Sequence, residues 1–446
     1  MKFLLFCAKF TKNNIKFMKN TIRIGLLSLL FFTIEASAQW APLGSGLAGR
    51  VRSIAIFNNK IYAAGTFAGR VKSFNEATST WENVGQGLGS GTNDSVNTLC
   101  VHNGILYAGG AFSTDGNGAA LKYVAKLNAS GTWEQAGTKI NNLVRVLYSD
   151  GTDLYIGGAF NANGVTRIGK LASGDWVQVG NATGAISNGI VNAIVKYNNQ
   201  LFIGGTFNQT FGRLDGSTWN TISGMSGTEV YSLQVFLNKI YIGSNNHPFI
   251  NTSTGSSVAP AFNTLDGAVR SLTANSLKIF GGGSFNNSPS LTQPMPHFFS
   301  YNGSTPFTSV DQGFNGDVFA IALKNGKVVV GGSFTGSGVT TLNSIAISTQ
   351  TIDVPETDAV VAHAFYPNPM MDRSVFELET RETLVQPAVQ IYDASGRLVR
   401  SLETDMEING NQLRVIVLRD QLTAGYYLLS VSDNGRPVYA ERFLVR

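Results

Sequence analysis

Seven times between residues 51 and 334 the chain repeats one pattern, at intervals of 39 to 49 residues. Val51, Val96, Val144, Val191, Val230, Val269 and Val318 open the units, and the third residue after each is Ile or Leu. Eleven residues after each Val stands Tyr62, Tyr107, Tyr155, Phe202, Tyr241, Phe280 or Val329, usually followed by a glycine pair and a Phe. A unit of this length cannot bury its apolar face alone, so neighbouring copies must stack. The second unit shows what the copies are made of. Val96 to Val101 reads as a strand, His102-Asn103-Gly104 is turn chemistry, and Ile105 to Ala108 is a second strand ending at Gly109-Gly110. Tyr123 to Leu127 reads as a third strand and Trp133 to Gly137 as a fourth. Four short strands per repeat predict an all-β chain built as a β-propeller.

All five tryptophans occupy the fourth-strand slot: Trp40, Trp81, Trp133, Trp176 and Trp219. Two readings of that slot are open. A large aromatic fills the wedge between blades, or it offers a platform to a sugar. Trp40 precedes the first unit, so the chain starts with a fourth strand, and the last unit stops at a third strand, Asn343 to Ile347. The two ends complete one another, which predicts a ring of seven blades over 39–350 with its edges hidden. The fifth unit departs from the pattern, reading Ser244-Asn245-Asn246-His247-Pro248 after Tyr241-Ile242-Gly243. It is either drift in one blade or a specialised rim loop. In its glycine pairs and late tryptophans the region resembles kelch-like and galactose-oxidase-like propellers. The copper site of oxidases in that superfamily would need a Tyr, Cys and His constellation, which these residues do not supply.

Residues 18–38 read as an export signal: Met18, Lys19 and Arg23, an apolar run from Ile24 to Ile34, then Ala36-Ser37-Ala38 before Gln39. Cleavage is expected between Ala38 and Gln39, with 1–38 as leader and signal peptide and Met18 as the true start. The run is too short to span a bilayer, so no transmembrane segment is expected in the mature chain. Cys7 lies upstream of this better signal and too near the terminus for a lipoprotein box. Residues 1–38 carry six Lys/Arg and one Glu, and the whole chain is +5, so the mature protein is about neutral. The high pI therefore gives no reason to expect nucleic acid as a partner. Only Cys100 remains after cleavage, which excludes an intramolecular disulfide; it reads as a small apolar side chain.

Composition shifts after residue 350. Region 39–350 has 31 charged residues in 312, whereas 363–446 has 20 in 84, with nine Arg and no Lys. Between them, 351–362 reads as a polar linker. The last segment opens Phe365-Tyr366-Pro367-Asn368-Pro369, continues through Tyr392-Asp393-Ala394-Ser395-Gly396-Arg397, and reaches Leu422-Thr423-Ala424-Gly425-Tyr426-Tyr427. Alternating runs at Val389/Ile391, Leu413/Val415/Val417 and Tyr427/Leu429/Val431 predict a small antiparallel, immunoglobulin-like β-sandwich. The segment also closely resembles the type A C-terminal sorting domain of the type IX secretion system, found in Bacteroidetes. The motif residues are Tyr366, Pro367, Asn368, Pro369, Asp393, Gly396, Arg397, Leu422, Gly425 and Tyr427. That resemblance implies the secretion machinery as a partner and a secreted or outer-membrane surface location. The other reading is an adhesive sandwich that stays on the mature protein.

No catalytic, cofactor or metal constellation emerges from the residues. His102, His247, His297 and His363 are scattered, without zinc spacing. Asp115-Gly116-Asn117-Gly118 lacks the ligands of a calcium loop, and Gly281-Gly282-Gly283 opens no helix. Two functions stay open: a secreted binding propeller for glycan or protein, and an extracellular polysaccharide lyase or hydrolase on the same scaffold. A carboxylate pair, or His with Arg or Tyr, on one face would mark the enzyme.

Overall fold

The computed structural model describes residues 40–349, apart from 182–185, 187, 208–209, 226–228, 246–250, 254, 261–264, 276–277, 288–293, 303–307 and 310–311, and residues 360–446, apart from 382, 394–397, 403–404, 421 and 435. The candidate cleavage residues Ala38 and Gln39, most of the linker, His247, Gly396 and Arg397 lie outside the described residues. The described chain is all-β, and its sheets are antiparallel. No helix among the described residues is long and apolar enough to cross a membrane.

Each unit folds as one four-stranded sheet in chain order, opened by the strand that carries the repeat Val: Val51–Phe57, Val96–His102, Val144–Ser149, Val191–Tyr197, Val230–Phe236, Val269–Ala274 and Val318–Lys324. The seventh sheet is completed from the front of the chain. Strand Trp40–Pro42 pairs antiparallel with Ile345–Ser348, with Trp40 opposite Ser348 and Pro42 opposite Ala346. Sequence reading placed this closing strand correctly. It did not find the small hairpin of Gly336–Ser337 with Thr340–Thr341.

Packing between sheets explains the repeat pattern. The opening strand of each sheet packs on the opening strand of the next, and Val318–Lys324 packs on Val51–Phe57. Seven apolar clusters follow the same cycle among the described residues. Val96, Leu106 and Trp133 of the second sheet join Tyr62 and Val71 of the first. At the other end, Val329 and Ile345 of the seventh sheet join Val51 and Phe67 of the first. The first glycine of each pair makes room for the neighbouring sheet. A methyl group on Gly109, Gly157, Gly204, Gly282 or Gly331 would strike a γ-methyl of Val144, Val191, Val230, Val318 or Val51, the opening Val of the next unit. The second glycine makes room within its own sheet. A methyl on Gly110, Gly158, Gly205, Gly283 or Gly332 would land on the carbonyl of the residue before the opening Val. In these five sheets close backbone approach favours glycine at both places, whereas Ala64 takes the first place in the first sheet and Ser244 the second in the fifth.

The tryptophans are structural. The indole N–H groups of Trp81, Trp133, Trp176 and Trp219 donate, at 2.7 to 3.0 Å, to the carbonyls of Leu43, Val84, Ala136 and Val179. Each acceptor lies three residues after the tryptophan of the preceding sheet, so each indole bolts one sheet to the one before it. Trp40 is buried with its Nε1 unpartnered, its ring packed on Phe298 and Phe314. In the fifth sheet the register puts Val258 in the tryptophan slot. Four of the five indoles are buried, and the half-buried Trp81 is held by the Leu43 carbonyl, so packing accounts for the slot.

The C-terminal segment forms two four-stranded sheets. One holds Val360–Tyr366, Arg373–Thr380, Gln412–Leu418 and Met406–Asn409; the other holds Leu398–Ser401, Pro387–Asp393, Gly425–Asp433 and Arg436–Val445. Their inward residues, among them Phe376, Val415 and Val417 on one sheet and Val389, Leu429 and Val431 on the other, share one core that, among the described residues, begins at Phe365. Contacts gather Gln39–Arg446 into one compact unit, within which this core is distinct from the seven others. The first strand starts at Val360, inside the expected linker, and His363 belongs to it. Its ladder to Arg373–Thr380 takes in the apolar end of that segment, Val360 opposite Thr380 and Ala362 opposite Glu379.

Candidate functional site

All seven opening strands carry a register shift immediately after the Val. A bulge leaves one extra residue unpaired and re-aims its side chain. The bulged residues are Arg52, Asn97, Arg145, Asn192, Tyr231, Arg270 and Phe319. All seven opening valines are buried and all seven residues after them are half-buried. The two asparagines fix the geometry of the set. Asn97 Nδ2 donates to the Val144 carbonyl at 2.9 Å and Asn192 Nδ2 to the Val230 carbonyl at 3.0 Å, each reaching the opening Val of the next sheet.

Three of the seven positions are arginine, and Arg50 joins them from the rim. The Arg50 guanidinium lies 4.7 Å from the Phe319 ring centre. Arg270 lies over two rings, 4.7 Å from Tyr231 and 5.5 Å from Phe319. The Nε atoms of Arg52, Arg145 and Arg270 are buried and have no hydrogen-bond partner. Burial first, then the charges of Arg50, Arg145 and Arg270, hold Arg52 below the ordinary guanidinium value. Arg52, Arg145 and Arg270 hold equivalent bulge positions in the first, third and sixth sheets, and Arg50 and Arg270 meet over the same Phe319 ring.

Two carboxylates stand at the same level, each in the position before an opening Val. Glu229 accepts from the Tyr231 hydroxyl at 2.9 Å and from Asn192 Nδ2 at 3.2 Å. Asp317 lies 3.7 Å from His297 Nδ1. Neither forms an ion pair with the four arginines among the described residues. The Tyr231 phenol is raised above its usual value, by burial first and then by its bond to Glu229.

The other sequence candidates are accounted for by structure. Asp115 Oδ1 accepts from the backbone N–H groups of Asn117 and Ala119, so the carboxylate is spent on its own turn. Among the described residues no group of three metal-ligating side chains comes together. His102 Nδ1 contacts Ser149 Oγ at 2.9 Å, His297 Nδ1 contacts the Gly283 carbonyl at 3.0 Å, and His363 Nδ1 contacts the Tyr439 hydroxyl at 2.6 Å.

The C-terminal motif residues hold their sheets together. Pro367 O accepts from Ser374 Oγ at 2.6 Å, and Asn368 Oδ1 accepts from the Leu444 N–H at 3.0 Å. Just after Pro369, Met370 pairs with Val445, which joins the start of the segment to its last strand. Asp393 stands opposite Tyr427 in the ladder. Leu422 is buried, Gly425 opens the next strand, and the Tyr427 hydroxyl donates back to the Thr423 carbonyl at 2.9 Å. The Leu-x-x-Gly-x-Tyr run is thus a tyrosine-closed corner. Tyr366, 48% exposed, is free to meet another surface.

Residues 364–446 match the family model described as the secretion system C-terminal sorting domain. The protein is therefore secreted or attached at the outer-membrane surface, and its tail is addressed to the type IX secretion system. No curated protein matches the chain. Among solved structures, it is similar to two of an extracellular domain from B. thetaiotaomicron, at 13% identity over 92% of this chain, with TM-scores of 0.47 and 0.48. The chain spans 58% of the length of each. It is also similar to Bacteroides ovatus xyloglucan PUL GH43B, at 12% identity over 91% of both chains, with a TM-score of 0.28.

Proposed function

We propose that residues 39–350 are a closed seven-bladed β-propeller of kelch-like type that binds an extracellular glycan or protein. A signal peptide over 1–38, cleaved between Ala38 and Gln39, takes it across the inner membrane. The immunoglobulin-like sandwich over 363–446 takes it through the type IX machinery, by way of the motif from Tyr366 to Tyr427. The observation that carries the binding reading is the set of half-buried side chains that the seven bulges aim away from the ladders. Enzymatic chemistry is less well served there. Glu229 is engaged by two donors, and a Tyr231 phenol held above its usual value is a poor base at neutral pH. In a host with this secretion system the full chain should reach the surface or medium and lose about 9 kDa, the share of 84 residues in a 446-residue, 47.7 kDa chain. Truncation after Thr351 should leave a folded protein in the periplasm; normal export of that truncation would overturn the sorting assignment.

A further inference from the structure

We infer that Arg52, Arg145 and Arg270, with Arg50 at the rim, form a binding site for an oxyanion-bearing sugar, one that carries a carboxylate or a sulfate ester. The inference rests on the binding reading above and adds the chemistry of the ligand. Like charges brought together and partly desolvated oppose folding unless something offsets them. Structural arginines elsewhere in the protein have partners: Arg213 is bonded to Asp215, and Arg70 donates to the carbonyls of Phe67 and Gly91. The side chains of Arg50, Arg52 and Arg145 make no hydrogen bond among the described residues, and no carboxylate pairs with any of the four. Stacking on Phe319 and Tyr231 holds the guanidinium groups of Arg50 and Arg270 in place. A planar fork held in this way matches the two oxygens of a carboxylate, or two of a sulfate.

A sugar fits the surroundings better than an acidic peptide. Besides donors, the ring presents a Tyr hydroxyl, amides and the carboxylate of Glu229, which can accept from sugar hydroxyls.

Titration calorimetry on the full chain would test this with four probes: oligogalacturonate, dextran sulfate, uncharged dextran and poly-glutamate. One or both of the charged sugars should bind, and binding should weaken at higher salt. Arg52→Gln/Arg145→Gln should lower that affinity at least ~10-fold, the size of a lost charge-assisted hydrogen bond, while Lys239→Gln should leave it unchanged. Thermal melting adds an independent readout. Removing two of four converging like charges should hold or raise the Tm of the free protein, whereas a purely structural role for these arginines would lower it. Which charged sugar binds separates carboxylate from sulfate. Unchanged affinity in the double variant, binding of poly-glutamate as tight as that of the sugars, or binding of uncharged dextran alone would each overturn the inference, and the last would spare the binding reading.

Discussion

Trp133 and Trp40 sit in equivalent slots but differ in one bond. Trp133 Nε1 donates to the Val84 carbonyl at 3.0 Å, whereas Trp40 Nε1 has no partner. Replacing Trp133 by Phe should cost about 0.5–1.5 kcal/mol, because the hydrogen bond between sheets is lost while the Val84 carbonyl keeps the Gly87 N–H. The same change at Trp40 should cost clearly less, and denaturant unfolding of both variants checks the order. Cys100 is governed by burial in the same way. Its thiol is pushed up to about 12, so it stays protonated at pH 8. It should resist alkylation in the native protein and react once unfolded; fast native labelling would contradict this. The tryptophan slot and the glycine pairs were legible in the sequence because packing demands the same residue in copy after copy. The arginine site was not. Its position holds Arg, Asn, Arg, Asn, Tyr, Arg and Phe in turn, so nothing repeats there except the place, and a bulge is a matter of register that no residue type announces.

At the level of elements, the strand Trp40–Pro42 is the test of closure. It supplies the only neighbour of Ile345–Ser348 on that side and buries Trp40 against Phe298 and Phe314 of the sixth sheet. Deleting residues 39–45 should open a strand edge and remove that ring together, a loss on the order of 3–5 kcal/mol from the aromatic alone. A lowered Tm and a new tendency to self-associate are expected, and an unchanged melting curve would count against closure. The sequence displayed this element plainly, since one end had a fourth strand too many and the other one too few. The fifth sheet was harder to read. There Ser244 replaces the second glycine and is 2% exposed with its hydroxyl unpartnered. Pattern reading sees the lost glycine but not whether the ladder survives, and here Val230 still pairs with Ser244.

At the scale of the whole molecule, the change in charge density and the C-terminal motifs predict two bodies, and the C-terminal segment has a core of its own. What they hid was the role of the motif residues. A motif signals an address, yet Asn368, Leu422 and Tyr427 are engaged within the fold of the segment itself. That arrangement demands a tail able to fold by itself. The C-terminal core supports this, since Phe376, Leu378, Val389, Ile391, Val415 and Val431 are buried in one cluster that, among the described residues, begins at Phe365. A segment of 84 residues with two four-stranded sheets over one core is within the range of independent stability. Residues 351–446 expressed alone should therefore show a cooperative melt and dispersed amide spectra. The chain from Gln39 onward should show two transitions, because closing the seven-sheet cycle and packing the C-terminal core are separate events. Truncation after Thr351 should remove one transition and leave the other in place. A single transition for the longer chain, together with an unfolded isolated tail, would mean that the two cores depend on each other. The tail would then be part of the binding body and not a separable address.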